Sequence, residues 1–117
     1  MARSHLSGTG GFGARINAIT AKLQTDVKGA VKEAVLKTEA GAKQLTPVDT
    51  GYLRNSISSS FSGGGMEGKV GVGAEYGIYV EYGTRNQHAQ PFITPSFVTN
   101  KEAFLDDIER IAREVAD

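Results

Sequence analysis

Thr46-Pro47-Val48-Asp49-Thr50-Gly51-Tyr52-Leu53-Arg54 opens the stretch that decides the fold, residues 46–97. Pro47 ends the helix before it, because the residue preceding a proline is pushed out of the α region. Val48 to Gly51 then reads as a turn. The Asp49 side chain can accept from backbone amides ahead of it, Thr50 is a second turn-forming polar residue, and Gly51 can supply a positive φ. Arg54 to Phe61 has strand character, with Ile57 and Phe61 among polar alternates, and Leu53 is placed to anchor that strand in the core. Ser62-Gly63-Gly64-Gly65-Met66-Glu67-Gly68 is a hairpin tip, and Lys69 to Gly73 returns with Val70 and Val72 on one face. Gly71 and Gly73, on the opposite face, predict a close neighbour there.

The stretch continues through Tyr79-Val80-Glu81-Tyr82-Gly83-Thr84 to Gln90-Pro91-Phe92-Ile93-Thr94-Pro95. Ala74 to Thr84 fits a strand or a short helix. The spacing of Tyr76, Tyr79, Val80 and Gly83 favours a helix ending at Gly83. Arg85 to Gln90 is a polar loop, Pro91 to Thr94 a short strand, and Pro95 suits the first turn of a closing helix. Thr99-Asn100-Lys101-Glu102 matches a capping box and marks a restart inside that helix. Phe104, Leu105, Ile108, Ile111, Ala112 and Val115 give it an apolar stripe.

Upstream, apolar and small residues recur at three- and four-residue steps from Arg15 to Leu45, a helix of roughly 45 Å. That exceeds what so small a domain can cover, so part of it is expected to pack on something else. Gly29 and Gly41 each weaken it by roughly 1 kcal/mol against alanine, which predicts close approach of another backbone. Residues 1–14 read as a flexible Gly-rich arm and 15–117 as a single domain. The fold class is α+β: a long N-terminal helix and a C-terminal helix packed on a small antiparallel sheet with a long Gly/Ser hairpin.

The 117 residues carry 13 basic and 13 acidic side chains, so total charge makes no case for gripping nucleic acid or a membrane. The charge is polarised along the chain. Seven Lys/Arg face three Asp/Glu up to Leu45, and six face ten from Thr46 onward. A basic long helix bearing Lys32 and Lys37 and an acidic closing helix can join copies head to tail, or they are two ordinary solvated helix faces. The absence of cysteine fits a reducing compartment. The first seven residues lack the apolar run of a signal peptide, and the expected setting is a cytoplasm, with no membrane contact.

No catalytic, cofactor or metal site is expected. Gly8-Thr9-Gly10-Gly11-Phe12-Gly13 matches G-x-G-x-x-G, but only seven residues precede it and none forms the buried strand a dinucleotide site requires. His5 and His88 have no cysteine or spaced carboxylates to complete a zinc site. The serines from Ser56 to Ser62 lack a nucleophile elbow. Glu81, between Val80 and Tyr82, is the one acid that stands out. It reads either as a surface carboxylate or as a partner-facing one; no second acid is placed for general-acid work.

Four motifs in fixed order resemble one family: Pro47-Val48-Asp49-Thr50-Gly51-x-Leu53-Arg54, Val70-x-Val72-Gly73, Tyr76-x-x-Tyr79-Val80-Glu81-Tyr82-Gly83-Thr84, and Gln90-Pro91-Phe92-Ile93-Thr94-Pro95. The set is similar to the tailed-bacteriophage neck and minor tail proteins, the head–tail joining or tail-completion proteins typified by gene product ten of a lambdoid coliphage. The resemblance covers roughly residues 20–115. It implies a non-enzymatic virion protein, without cofactor, made in the host cytoplasm. It also implies a homo-oligomeric ring, six-fold, at the head–tail junction as neck, tail-completion or tail-terminator component. Its partners would be other neck, connector or tail-tube proteins, and DNA would pass through without sequence-specific binding. Pro47, Asp49, Thr50, Gly51, Leu53, Gly73, Gly83, Pro91 and Phe92 are then the structural motif, and Tyr79, Glu81, Thr84, Arg85, Lys32 and Lys37 the expected interface. The alternative is a small cytoplasmic interaction or regulatory module that never enters a particle.

Overall fold

The computed structural model describes residues 11–47 and 51–116. The expectations for residues 1–10 of the arm and for the Asp49 and Thr50 turn lie outside the described residues. Helix α1 spans Gly11–Leu45, α2 Gly51–Asn55, β1 Ile57–Ser62, β2 Glu67–Val72, α3 Gly77–Tyr82 and α4 Ile93–Ala116. The two strands form one antiparallel sheet, with Ile57 opposite Val72 and Ser62 opposite Glu67. Gly63, Gly64 and Gly65 make the hairpin tip, all three with φ between 60° and 98°, a region that glycine enters without a Cβ penalty. The long helix, the closing helix and the small sheet are the expected α+β architecture.

Several boundaries differ from expectation. Helix α1 begins at Gly11 rather than Arg15. Gly51 to Asn55 winds into a helical turn, so Leu53 and Arg54 precede the first strand instead of belonging to it. The turn closes when the Ser56 amide donates to the carbonyls of Tyr52 and Leu53 at 3.0 and 3.1 Å, and the Ser56 hydroxyl donates to Leu53 O at 2.7 Å. Residues 93–116 are one continuous helix, so there is no strand from Pro91 to Thr94 and no restart at Thr99. Asn100 lies inside it and donates back to Ser96 O at 2.8 Å.

The core sits at the C-terminal end of α1. Ala42, Leu53, Ile57, Ala74 and Phe92 are buried together, with Val70, Val72, Val80 and Ile93 packed against them. Ile57, Ser59 and Phe61 share one face of β1 with Val70 and Val72 opposite them, and this face lies over α1. Ser59 donates to Glu39 of α1, which also pairs with Lys43 at 2.9 Å. Hydrogen bonds from Ser59 and Lys43 hold the Glu39 carboxyl below its ordinary value, against partial burial.

Close approach occurs at other glycines than expected. Gly29 and Gly71 have open space where a Cβ would stand, and at Gly73 a Cβ would make ordinary contact with Ser56 at 3.5 Å. At Gly41 a Cβ would collide with Ser96, and at Gly68 with Val35. These two positions let α4 and β2, respectively, lie tightly on α1. Ser96 uses the proximity to donate to Thr38 O at 2.9 Å.

Helix α4 runs antiparallel to α1. Ser96 is beside Thr38 and Gly41, and Glu114 is 4.0 Å from Lys22. The basic and acidic helices expected to meet between copies are thus neighbours within one chain. From that register, about two to three turns of α1 at its N-terminal end project past the last turn of α4.

Candidate interaction surface

Helix α3 has two faces with different duties. Gly77, Val80 and Glu81 turn inward, while Ile78, Tyr79 and Tyr82 are 59%, 61% and 74% exposed. Gly77 is required for the inward packing, since a Cβ there would be 2.8 Å from Val72 Cγ1 and 3.3 Å from Leu53 Cδ1.

The Glu81 carboxylate is neither at the surface nor free for a partner. The residue is only 8% exposed, and its carboxylate is aimed at the start of α4. Oε1 accepts from the backbone N–H of Phe92 and of Ile93, both at 3.0 Å, and Oε2 from that of Thr94 at 2.9 Å. The reason is local. The residue before α4 is Phe92, whose side chain cannot cap a helix, and the first N–H groups of any helix lack acceptors within it. An acid eleven to thirteen residues upstream supplies the acceptors and meets the positive end of the helix dipole. Burial opposes the charged form, but the hydrogen bonds from Thr94, Phe92 and Ile93 outweigh it and hold the carboxyl below its ordinary value.

The loop between α3 and α4 is folded as tightly. Gly83 has φ of 80°, and a Cβ there would lie 2.7 Å from Ala89 N and 3.0 Å from Gln87 O. The Thr84 hydroxyl accepts from the amides of Asn86 and Gln87 at 3.3 and 3.2 Å, and the Gln90 amide donates to Val80 O at 2.8 Å. Thr84 therefore shapes its own turn, while Arg85 is exposed on it. Phe92 is buried at 1% and Leu53 completely, and Pro91 is exposed between the loop and α4.

Outside this lock lies an aromatic surface. Tyr52 of α2, 69% exposed, stacks on Tyr76 with ring centroids 6.2 Å apart and planes 30° from parallel. Steps of three residues carry the surface from Tyr76 to Tyr79 and Tyr82. Exposed tyrosines offer large rigid contact area with a polar tip, the composition found where proteins meet. A recess of about 460 Å³, lined by Tyr79, Val80, Gln87 and His88 among others, adjoins them. Among the described residues no group of His, Cys, Asp and Glu is arranged to hold a metal ion.

Residues 11–83 match the protein family described as "Bacteriophage HK97-gp10, putative tail-component". The chain belongs to this family. As an HK97-gp10-like protein it is a structural component of a phage tail, a class that works by contact with other phage structural proteins. No curated protein and no solved structure matches the chain. No helix among the described residues is long and apolar enough to cross a membrane.

The expected interface residues fall into three groups. Tyr79 is exposed on the aromatic surface, and Thr84 and Arg85 are exposed in the loop that follows α3. Lys32 and Lys37 are exposed on α1, Lys37 paired with Glu33 of its own helix at 3.5 Å. Glu81 is internal. Sequence reasoning missed Tyr52, Ile78, Tyr76 and Tyr82 as surface residues. It also missed the tie from Glu81 to α4. A helix beginning after Phe92 has no side-chain cap of its own, but water can satisfy such amides, so no residue pattern pointed to Glu81.

Proposed function

We propose that this tail component forms a closed homo-oligomeric ring, six-fold, at the head–tail junction, acting in neck assembly, tail completion or tail termination. The observation that carries the reading is the tyrosine surface of α2 and α3, held rigid by the Glu81 lock in a member of a phage tail-component family. A rigid aromatic face loses little entropy on docking, so it suits a joint built once and kept. Tyr79, Thr84 and Arg85 contact the neighbouring subunit or the adjoining ring, and Lys32 and Lys37 contribute from the exposed flank of α1. DNA passes through the centre without sequence-specific contact. The balance of 13 basic against 13 acidic residues supports passage rather than retention, because a strongly basic channel would hold the phosphate backbone. The chain works by assembly, with no reaction and no cofactor.

The test is complementation of a phage lacking this gene with wild type and with Tyr79→Ala plus Tyr82→Ala. Full heads and separate tails without infectious particles is the expected result for the variant. Full infectivity from the variant would overturn the assignment of the aromatic face. A wild-type protein that stays monomeric in particles and in concentrated solution would overturn the ring.

A further inference from the structure

One side of β2 is an open strand edge. The sheet has two strands, so β2 pairs with β1 alone. The Gly73 amide donates to Ser56 O at 2.9 Å, and in an antiparallel ladder such bonded pairs alternate with unbonded ones. With Ile57 opposite Val72, the residues of β2 that bond β1 are Glu67, Lys69 and Gly71. The N–H and C=O groups of Gly68, Val70 and Val72 point away from β1, and they have no hydrogen-bond partner among the described residues.

An apolar groove of about 570 Å³ lies along that edge. Its floor is α1 at Val31 and Val35, and its far wall is α4 at Phe97, Phe104 and Leu105. Gly68, Lys69 and Val70 all line it, although successive side chains of a strand point to opposite faces, so the groove follows the strand's edge rather than its face. Phe97 and Leu105 are 54% and 53% exposed. The charged residues of the lining are Lys69 on β2 and Lys101 on α4. Both are exposed, and neither belongs to an ion pair among the described residues. An open edge is a template for pairing with another chain, and a lysine on it restricts which chain pairs.

We propose that this edge accepts an extended acidic segment of another phage structural protein as a third strand of the sheet. Residues of an added strand that stand opposite Gly68, Val70 and Val72 turn to the same face as these do, onto the α1 floor and beside the phenylalanines of α4, so they are apolar. The alternate residues turn to the Lys69 face, where carboxylates meet its ammonium group, with Lys101 at the opposite rim. Backbone bonds to β2 supply affinity and the alternating side chains specificity, as in other cases of strand addition. A second copy of this chain does not fit. The face of β1 with Ile57, Ser59 and Phe61 already lies on its own α1, so β1 of another copy could enter only with Ser58 and Ser60 turned to the apolar floor. The projecting end of α1 carries Arg15 and Lys22 with no acid before Asp26, and would bring cations to lysines. Helix α4 is acidic, but its backbone groups are spent within the helix and cannot bond a strand edge. The site is whole in a single copy, so it does not depend on ring closure.

The probe is a synthetic peptide, acetyl-Glu-Val-Glu-Val-Glu-Val-Glu-amide, titrated into the full-length protein and followed by amide hydrogen exchange. With peptide bound, the amides of Gly68, Val70 and Val72 should exchange at least about ten-fold more slowly. The same peptide with lysines in place of its glutamates should bind at least about ten-fold more weakly. Lys69→Glu combined with Lys101→Glu should reverse that preference while leaving the melting temperature within about 2 °C of wild type, since both side chains are exposed. No binding up to about 1 mM peptide would overturn the proposal. So would binding that leaves the three edge amides unprotected, or a double variant that keeps the wild-type preference. Protection of those amides in the peptide-free protein that disappears on dilution would make a second copy the occupant, and would overturn it as well.

Discussion

The two ends of α1 are built for different purposes. From Ala30 to Ala42 the helix buries Ala30, Val31, Thr38 and Ala42 against the sheet and α4, with Thr46 buried just past its end; Leu36 and Leu45 stay exposed, and the Thr38 and Thr46 hydroxyls donate back to helix carbonyls. From Gly11 to Leu23 it shows solvent a row of large apolar residues. One end is locked by contacts whose loss unfolds the domain. The other carries groups whose loss the monomer should scarcely feel. The same division is repeated across α3, where Glu81 faces in and Tyr79 and Tyr82 face out. In a small chain of this kind, burial at one end and apolar exposure at the other separate what folds the protein from what assembles it.

That division breaks first if the core end tolerates change. Leu53→Ala, at a completely buried position in contact with the inward face of α3, should cost about 2–5 kcal/mol of unfolding free energy in chemical denaturation. Glu81→Ala should cost about 2–3 kcal/mol, since it removes a cap and leaves buried amides without an acceptor. A loss of assembly with no loss of stability in Glu81→Ala would return that residue to the interface.

Acid titration sharpens the same point. Glu81 and Glu39 both have folded-state values below the ordinary carboxyl value near 4.3. Their contribution is complete above that value, where the unfolded chain is also ionised. It is lost as the pH falls through the folded-state values, because the unfolded chain takes up protons first. Stability should therefore decline below about pH 4.3, and Glu81→Gln should flatten the decline. An identical acid limb in that variant would contradict the role of its charge.

The smallest expected effects on stability are at the exposed end and the aromatic face. Tyr82→Ala and Ile19→Asp should each change unfolding free energy by about 0.5 kcal/mol or less. A loss above about 2 kcal/mol from Ile19→Asp would mean that the projecting end is part of the folded core.

Much of this was legible in the residues. The three- and four-step row before Pro47 fixed the long helix, the glycine-rich break fixed the hairpin, and Gly83 marked the end of α3. Leu53 and Phe92 stood out within their motifs, and both are core residues. What was not legible has a physical cause in each case. Gly51 to Asn55 and Pro91 to Thr94 were too short for periodicity to separate helix from strand, and hydrogen bonds formed after folding decided them. The glycines that matter, Gly41 and Gly68, differ from Gly29 and Gly71 only in what lies across from them. Glu81 read as a surface or partner-facing acid because it stands among Tyr79, Val80 and Tyr82. Its true partners are backbone amides, which no side-chain pattern displays.

Amide hydrogen exchange on the full-length protein tests the division between locked and assembling ends most directly. The amides of Phe92, Ile93 and Thr94 should exchange at least about 100-fold more slowly than those of an unprotected helix start, at a rate set by opening of the core. That protection should vanish in Glu81→Ala and survive in Tyr79→Ala plus Tyr82→Ala. Fast exchange at all three amides in the wild type, or protection undisturbed by the loss of Glu81, would contradict the lock on which the separation rests.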